Sequence, residues 1–206
     1  MEDILDVYQR PYDPDYPVVC MDESTKQLIG EVTDPIAMTG NHCELIDHEY
    51  VRNGVATIFA EVEPLGGRRH IEITQSRTAK DWAGFVQKML DERYPNVKKV
   101  ILVLDNLNTH KIASFYEAFP AEEAKRLSDR LELHFTPVHG SWLNICEIEL
   151  SVLGRQCLNR RIENMETITS EVKKWQQDRN NKKATIDWQF TNEKARIKLK
   201  RLYPKL

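Results

Sequence analysis

Val97-Lys98-Lys99-Val100-Ile101-Leu102-Val103-Leu104-Asp105-Asn106-Leu107-Asn108-Thr109-His110 is the stretch on which the reading of this chain turns. Residues 100–104 form an apolar, β-branched run with no polar break, the pattern of a strand covered on both faces. The run ends in an acid, an amide and, five positions after the acid, a histidine. A carboxylate at the end of a core strand is costly unless hydrogen-bond donors, a base or a metal ion meet it. The question for the fold is therefore which other residues converge on Asp105.

Working outward, Val18-Val19-Cys20-Met21 is a second apolar run that meets acids, Asp22 and Glu23, and reads as a short core strand ending there. Residues 26–49 read as irregular, with turn signals at Asp34-Pro35 and Thr39-Gly40-Asn41. Residues 54–62 and 69–75 read as two strands joined by a hairpin turn at Leu65-Gly66-Gly67. Thr78 with Asp81 three residues later resembles a capping box. Trp82, Phe85, Val86, Met89 and Leu90 then mark the buried stripe of a helix.

After the strand over 98–105, two helices over 111–119 and 121–130 are split by Pro120, and a fifth strand covers 131–136. A loop at 138–142 leads into a long helix over 143–158. A helix over 167–180, an extended link at 186–190 and a basic helix over 192–202 complete the chain. The order β-β-β-α-β-α-β-α predicts an α/β fold: a mixed five-stranded sheet flanked by helices, with the strand order of ribonuclease H-like proteins, plus extra C-terminal helices. The implied organisation is a lead-in at 1–17, a ribonuclease H-like domain at 18–160 and a C-terminal helical extension at 161–206, basic at its end.

The 206 residues, 41% hydrophobic and 30% charged, fit one well-cored domain with appendages. No apolar run approaches the roughly 20 residues that span a bilayer, and the acidic start Met1-Glu2-Asp3 is not a signal peptide. The expected location is the cytosol. Cys20, Cys43, Cys146 and Cys157 form no CxxC pair, so a structural zinc site is not expected. The net charge of −3 hides an asymmetry: residues 1–50 carry 12 Asp/Glu against 2 Lys/Arg, so the remainder is basic. Lys194, Arg196, Lys198, Lys200, Arg201 and Lys205 crowd the last thirteen residues. A basic stretch of this kind faces either solvent or a polyanion.

If the first and fourth strands lie side by side, Asp22 and Asp105 are neighbours at one edge of the sheet. Two close carboxylates raise each other's pKa unless a cation lies between them. Hard oxygen ligands of this kind suit Mg²⁺, and two ions about 3.5–4 Å apart can clamp the attacking and leaving oxygens of a phosphodiester. A third carboxylate is expected from the long helix after the fifth strand, where Glu147 and Glu149 both lie in the first turns. They stand about 200° apart around the helix, so only one can serve. The residues alone leave that choice open. His139 with Ser141 lacks a GxSxG elbow and does not make a serine nucleophile. Trp142 is a core anchor or a base-stacking platform.

Leu104-Asp105-Asn106-Leu107-Asn108-Thr109-His110 resembles the DNxxxH segment of Tc/mariner-type DDE transposases. His139-Gly140-Ser141-Trp142-Leu143-Asn144-Ile145-Cys146-Glu147 resembles their Leu-Asn-x-x-Glu segment, and Val19-Cys20-Met21-Asp22-Glu23-Ser24 is similar to the strand bearing their first acid. The likeness is to the bacterial insertion-sequence branch. It reaches from about residue 1 to Trp188-Gln189-Phe190-Thr191 and Arg201-Leu202-Tyr203-Pro204.

What the resemblance implies is a catalytic and metal-binding triad of Asp22, Asp105 and Glu147. Leu143-Asn144 sets the register that selects Glu147 over Glu149. It further implies two Mg²⁺ ions per site, with Mn²⁺ as a substitute. The activity implied is cleavage of DNA phosphodiesters at transposon ends and transfer of the freed 3′-OH into target DNA, usually at TA, by a homodimer. Asn106, His110 and Asn144 are expected to support the acids. Arg196, Lys198, Lys200 and Arg201 are expected to contact phosphates without sequence choice. The helix-turn-helix region that recognises transposon ends is expected to lie outside this chain. The competing expectations are a stand-alone ribonuclease H-like nuclease and a non-catalytic DNA-binding or dimerisation remnant.

Overall fold

A computed structural model describes residues 1–45, 47–107 and 109–203. Asn108, Pro204 and Lys205 of the motifs above lie outside the described residues. Five strands form one sheet: β1 Val18–Glu31, β2 Tyr50–Glu63, β3 Arg68–Thr74, β4 Val100–Leu104 and β5 Leu131–Phe135. Their spatial order is β3-β2-β1-β4-β5. The first three strands are an antiparallel meander. β4 and β5 join it in parallel, as crossover connections through helices require. The expected mixed five-stranded sheet is present.

The helices are α1 Glu2–Tyr8, α2 Ala79–Lys88, α3 Ile112–Ala118, α4 Ala121–Asp129, α5 Ile145–Leu153, α6 Met165–Asn181 and α7 Asn192–Lys198. α2 opens with the Thr78/Asp81 capping box and runs on into a π-helical turn over Met89–Arg93. All five residues of its predicted stripe are buried. α2, α3 and α4 cover one sheet face around Val19, Met21, Phe59, Leu102 and Leu104. α1, α5 and α7 cover the other around Cys20, Ala60, Ile101 and Val103. Every residue of β4 is buried, so the opening run is the fully covered strand its composition demands.

Two boundaries differ from expectation in a way that matters. β1 does not stop at Asp22-Glu23-Ser24 but continues to Glu31, paired with a β2 that starts at Tyr50. The outer half of this ribbon pairs only with β2, so polar side chains there reach solvent and carry no signal of a strand end. The parallel pairing of β1 with β4 stops at Cys20–Val103. Asp22 thus sits where the two strands part rather than where β1 ends. In addition, Trp142 is 41% exposed, with only its edge on Phe190, and is not a core anchor.

Candidate active site

The sheet register determines which acids share a face. Val18, Val19 and Cys20 pair with Ile101, Leu102 and Val103. Side chains alternate along a strand, so Cys20 and Asp22 point to one face, as do Ile101, Val103 and Asp105. Asp22 and Asp105 each lie two residues beyond the Cys20–Val103 pair, on the face covered by α5. Glu23, one step on, points to the opposite face.

The candidate for a third acid, Glu147, lies in the first turn of α5. Asn144 fixes that turn twice. Its side-chain oxygen accepts from the Cys146 N–H at 3.1 Å as the helix N-cap. Its amide donates to the Met21 carbonyl at 2.8 Å, one residue before Asp22. Asn144 is fully buried, and it bolts the start of α5 to β1 beside the first acid.

The acids interact across this junction. Burial pushes the Asp22 carboxyl up to about 7, against a hydrogen bond from the Glu23 N–H, and the charges of Asp105 and Glu147 push it further the same way. Glu147 and Asp105 are therefore both within electrostatic reach of Asp22. Glu149 has a different occupation. It is 2% exposed and accepts two hydrogen bonds from Arg179, both at 2.9 Å. It also lies 3.0 Å from the Nε of Arg69, whose side chain is fully buried. That buried ion triad ties α5 to α6 and β3.

His110 is fully buried and stacks on Trp82 with ring centroids 5.5 Å apart. Its Nε2 lies 3.0 Å from the Glu23 carboxylate, and its Nδ1 lies 2.6 Å from Asp105 Oδ1. Burial disfavours the imidazolium, but the contacts with Asp105 and Glu23 outweigh it and push the imidazole up to about 9. The ring is a cation held between two acids, one from each sheet face. Its Nδ1–H is aligned on the Asp105 main-chain oxygen at 3.4 Å. Buried Asp105 Oδ1 consequently has no aligned hydrogen-bond donor among the described residues.

With the side chains in these positions, no three His, Cys, Asp or Glu residues among those described converge on one point as a metal-binding group. Asp105 leans toward His110 instead. The donor set still fits a divalent cation: two further hard carboxylates, Asp105 and Glu147, lie within electrostatic reach of Asp22, whose own charge is disfavoured.

The remaining expected residues are spread more widely. Asn106 is exposed. Arg196 is not a free phosphate contact, because it makes a bidentate ion pair with Glu2 of α1 at 2.7 and 2.8 Å and so fastens α7. Lys198, Lys200 and Arg201 are exposed. Ile197 and Leu202 are 78% and 67% exposed, while Ala195 is buried. Sequence reasoning missed Glu23 as the partner of His110. The available signal was strand alternation, which sends residues 22 and 23 to opposite faces.

A family model described as DDE superfamily endonuclease matches residues 17–169, which include all three acids. The chain belongs to the DDE superfamily endonuclease family. Among solved structures it is similar to the Mos1 strand transfer complex, with a TM-score of 0.57 and 11% identity over 88% of this chain and 57% of that one. It is also similar to the Mos1 mariner paired-end complex with Mn, with a TM-score of 0.57 and 13% identity over 88% of this chain and 54% of that one. No curated protein matches. The likeness identifies a ribonuclease H-like fold. The chain spans little more than half the length of those transposase chains. No described helix of this DDE endonuclease domain is long and apolar enough to cross a membrane.

Proposed function

We propose that this chain is the catalytic domain of a DDE transposase of the Tc/mariner superfamily, bacterial insertion-sequence branch, with 18–160 as its catalytic core and 161–206 as its helical extension. What supports the reading is that Asp22 and Asp105 follow the Cys20–Val103 pair on the sheet face that α5 covers, while Glu147 lies in the first turn of α5 and, with Asp105, raises the Asp22 pKa. The similar solved structures are a Mos1 strand transfer complex and a paired-end complex, which supports DNA, both transposon ends and target, as the substrate; the working unit under this reading is a homodimer.

Asp22, Asp105 and Glu147 would hold two divalent ions, Mg²⁺ or Mn²⁺. When bound, these ions supply activation of the attacking oxygen and neutralisation of charge on the phosphate. β4 gives Asp105 a stiff mount, Asn144 sets the approach of Glu147 to Asp22, and His110 keeps Glu23 and Asp105 compensated. Lys198, Lys200 and Arg201 offer phosphate contacts.

The test is incubation with supercoiled plasmid DNA and Mg²⁺ or Mn²⁺, scored for nicking and strand joining, with Asp105→Asn alongside. Metal-dependent activity lost in the variant is expected. Equal activity in Asp105→Asn, or activity in EDTA, sinks the reading; DNA binding without any chemistry would instead favour the non-catalytic remnant.

A further inference from the structure

The Tyr8 hydroxyl, carried by α1, sits at the start of the helix that bears Glu147. It donates to the Leu143 carbonyl at 2.7 Å and accepts from the Ile145 N–H at 3.3 Å. It thus joins the residues on either side of the Asn144 cap. Ile145 is the first residue of α5, and its N–H is one of the four that a helix start leaves without an internal partner. The next, from Cys146, goes to the Asn144 side chain at 3.1 Å. The third, from Glu147 itself, goes to the Asn144 main-chain oxygen at 3.1 Å. The first three N–H groups of α5 therefore each have a set partner, and the first partner comes from another helix.

Tyr8 also meets β1. Its oxygen lies 3.5 Å from Cys20 Sγ, two residues before Asp22, while Asn144 reaches Met21, one residue before it. Burial pushes the phenol well above its ordinary value, so the hydroxyl keeps its proton and can donate to one backbone group while accepting from another. The ring packs on Trp188 with centroids 5.2 Å apart. The helix that carries it is held by the buried Ile4, Leu5 and Val7. Its polar residues are tied off as well: Glu2 and Asp6 to Arg196 and Asn192 of α7, and Asp3 to His134 of β5 at 2.8 Å. Exposed pairs of this kind contribute little each, so the three apolar side chains are the main anchor.

We propose that Tyr8 is a positioning residue for Glu147: its hydroxyl, mounted on α1, holds the first turn of α5 in the orientation from which Glu147 meets a metal ion shared with Asp22. That the ligand is a divalent ion rests on the transposase reading; the hold on α5 does not. A Phe at position 8 keeps the ring against Trp188 but leaves the Leu143 carbonyl and the Ile145 N–H without the hydroxyl. The first turn then has to be ordered when a ligand binds, which lowers affinity.

The experiment compares Tyr8→Phe with the parent in two ways: amide hydrogen exchange without metal, and calorimetric titration with Mn²⁺ alone, without DNA. Exchange at residues 145–147 is expected to speed up about fivefold with β5 unchanged, and Mn²⁺ affinity to fall about fivefold, the factor one hydrogen bond contributes. Ala124→Gly, in α4 over the opposite sheet face, loses a comparable amount of stability through helix propensity and is expected to keep Mn²⁺ affinity within about twofold of the parent. A purely structural Tyr8 would lower stability and leave Mn²⁺ affinity where it was. Parental behaviour of Tyr8→Phe in both measurements, a change in either one without the other, or an equal loss of affinity in Ala124→Gly overturns the proposal. A parent that binds no Mn²⁺ refutes the metal reading of the three acids, whereas the exchange rates report on the hold of Tyr8 alone.

Discussion

The Asn144 side-chain amide donates to the Met21 carbonyl at 2.8 Å across the junction of α5 and β1. Both partners are buried, Asn144 to 0% exposure. One residue beyond Met21 is Asp22, and three beyond Asn144 is Glu147. This hydrogen bond therefore helps set how the two elements bearing these acids meet.

Replacing Asn144 by Ala removes the α5 cap and orphans the Met21 carbonyl. Losing a cap costs about 1 kcal/mol and stranding a buried acceptor another 1–3. Asn144→Ala is expected to lose about 2–4 kcal/mol in urea unfolding, from the same two losses. Asn144→Ser keeps a capping oxygen and is expected to lose roughly half as much. Equal stability of the two variants would mean that the cap contributes nothing, and an Asn144→Ser variant as stable as the parent would mean the same of the bridge to β1.

The two glutamates of α5 are expected to part company when each is made Gln. Glu149 neutralises Arg69, whose side chain has 0% exposure. Breaking one partner out of a buried ion group typically costs about 3–5 kcal/mol, and Glu149→Gln is expected to fall near the lower end because the amide still accepts. Glu147→Gln removes a like charge from the surroundings of Asp22 and is expected to leave the unfolding midpoint unchanged or raised, while abolishing metal-dependent cleavage. The checks are denaturant unfolding and the plasmid assay on both variants. A stable Glu149→Gln variant that has lost cleavage would reverse the assignment.

Periodicity displayed the sheet, because β4 and the α2 stripe are apolar at spacings only one packing arrangement satisfies. The length of β1 was hidden, since a ribbon paired on one side tolerates Asp22, Glu23 and Ser24 as strand residues. The choice between Glu147 and Glu149 was hidden as well. A helix pattern shows which residues are polar; that Glu149 is buried is set by Arg69 and Arg179, which come from β3 and α6. The burial of His110 depends on Glu23, 87 positions earlier, a pairing no local pattern encodes. Arg196 looked like a phosphate contact because Glu2, its partner, lies at the other end of the chain.

His70 gives the fold a slope in mild acid. Burial drives its imidazole down to about 4, and Arg93 and Lys88 push the same way, with Glu72 opposing. The unfolded chain, titrating near 6.5, binds a proton that the native state refuses. Stability from the neutral ring is complete above pH 6.5 and is lost as pH falls from 6.5 toward 4. His70→Gln is expected to unfold at nearly the same urea concentration at pH 7.5 but to lose less than the parent between pH 6.5 and 4.5. Parallel pH profiles for the two proteins would count against a half-buried, neutral His70.

His110 is expected to matter for stability before chemistry is considered. Its Nε2 lies 3.0 Å from Glu23, whose side chain is 4% exposed, and its ring fills the space against Trp82. His110→Ala leaves the Glu23 carboxylate buried beside a cavity. Loss of a partner from a buried charge pair costs about 3–5 kcal/mol. His110→Ala/Glu23→Gln removes the stranded charge along with the cation. The double variant is expected to recover part of the stability lost by His110→Ala, leaving the cavity cost. If the second substitution recovers nothing, Glu23 is not the group that His110 compensates, and its contact with Asp105 at 2.6 Å is the one that holds the ring.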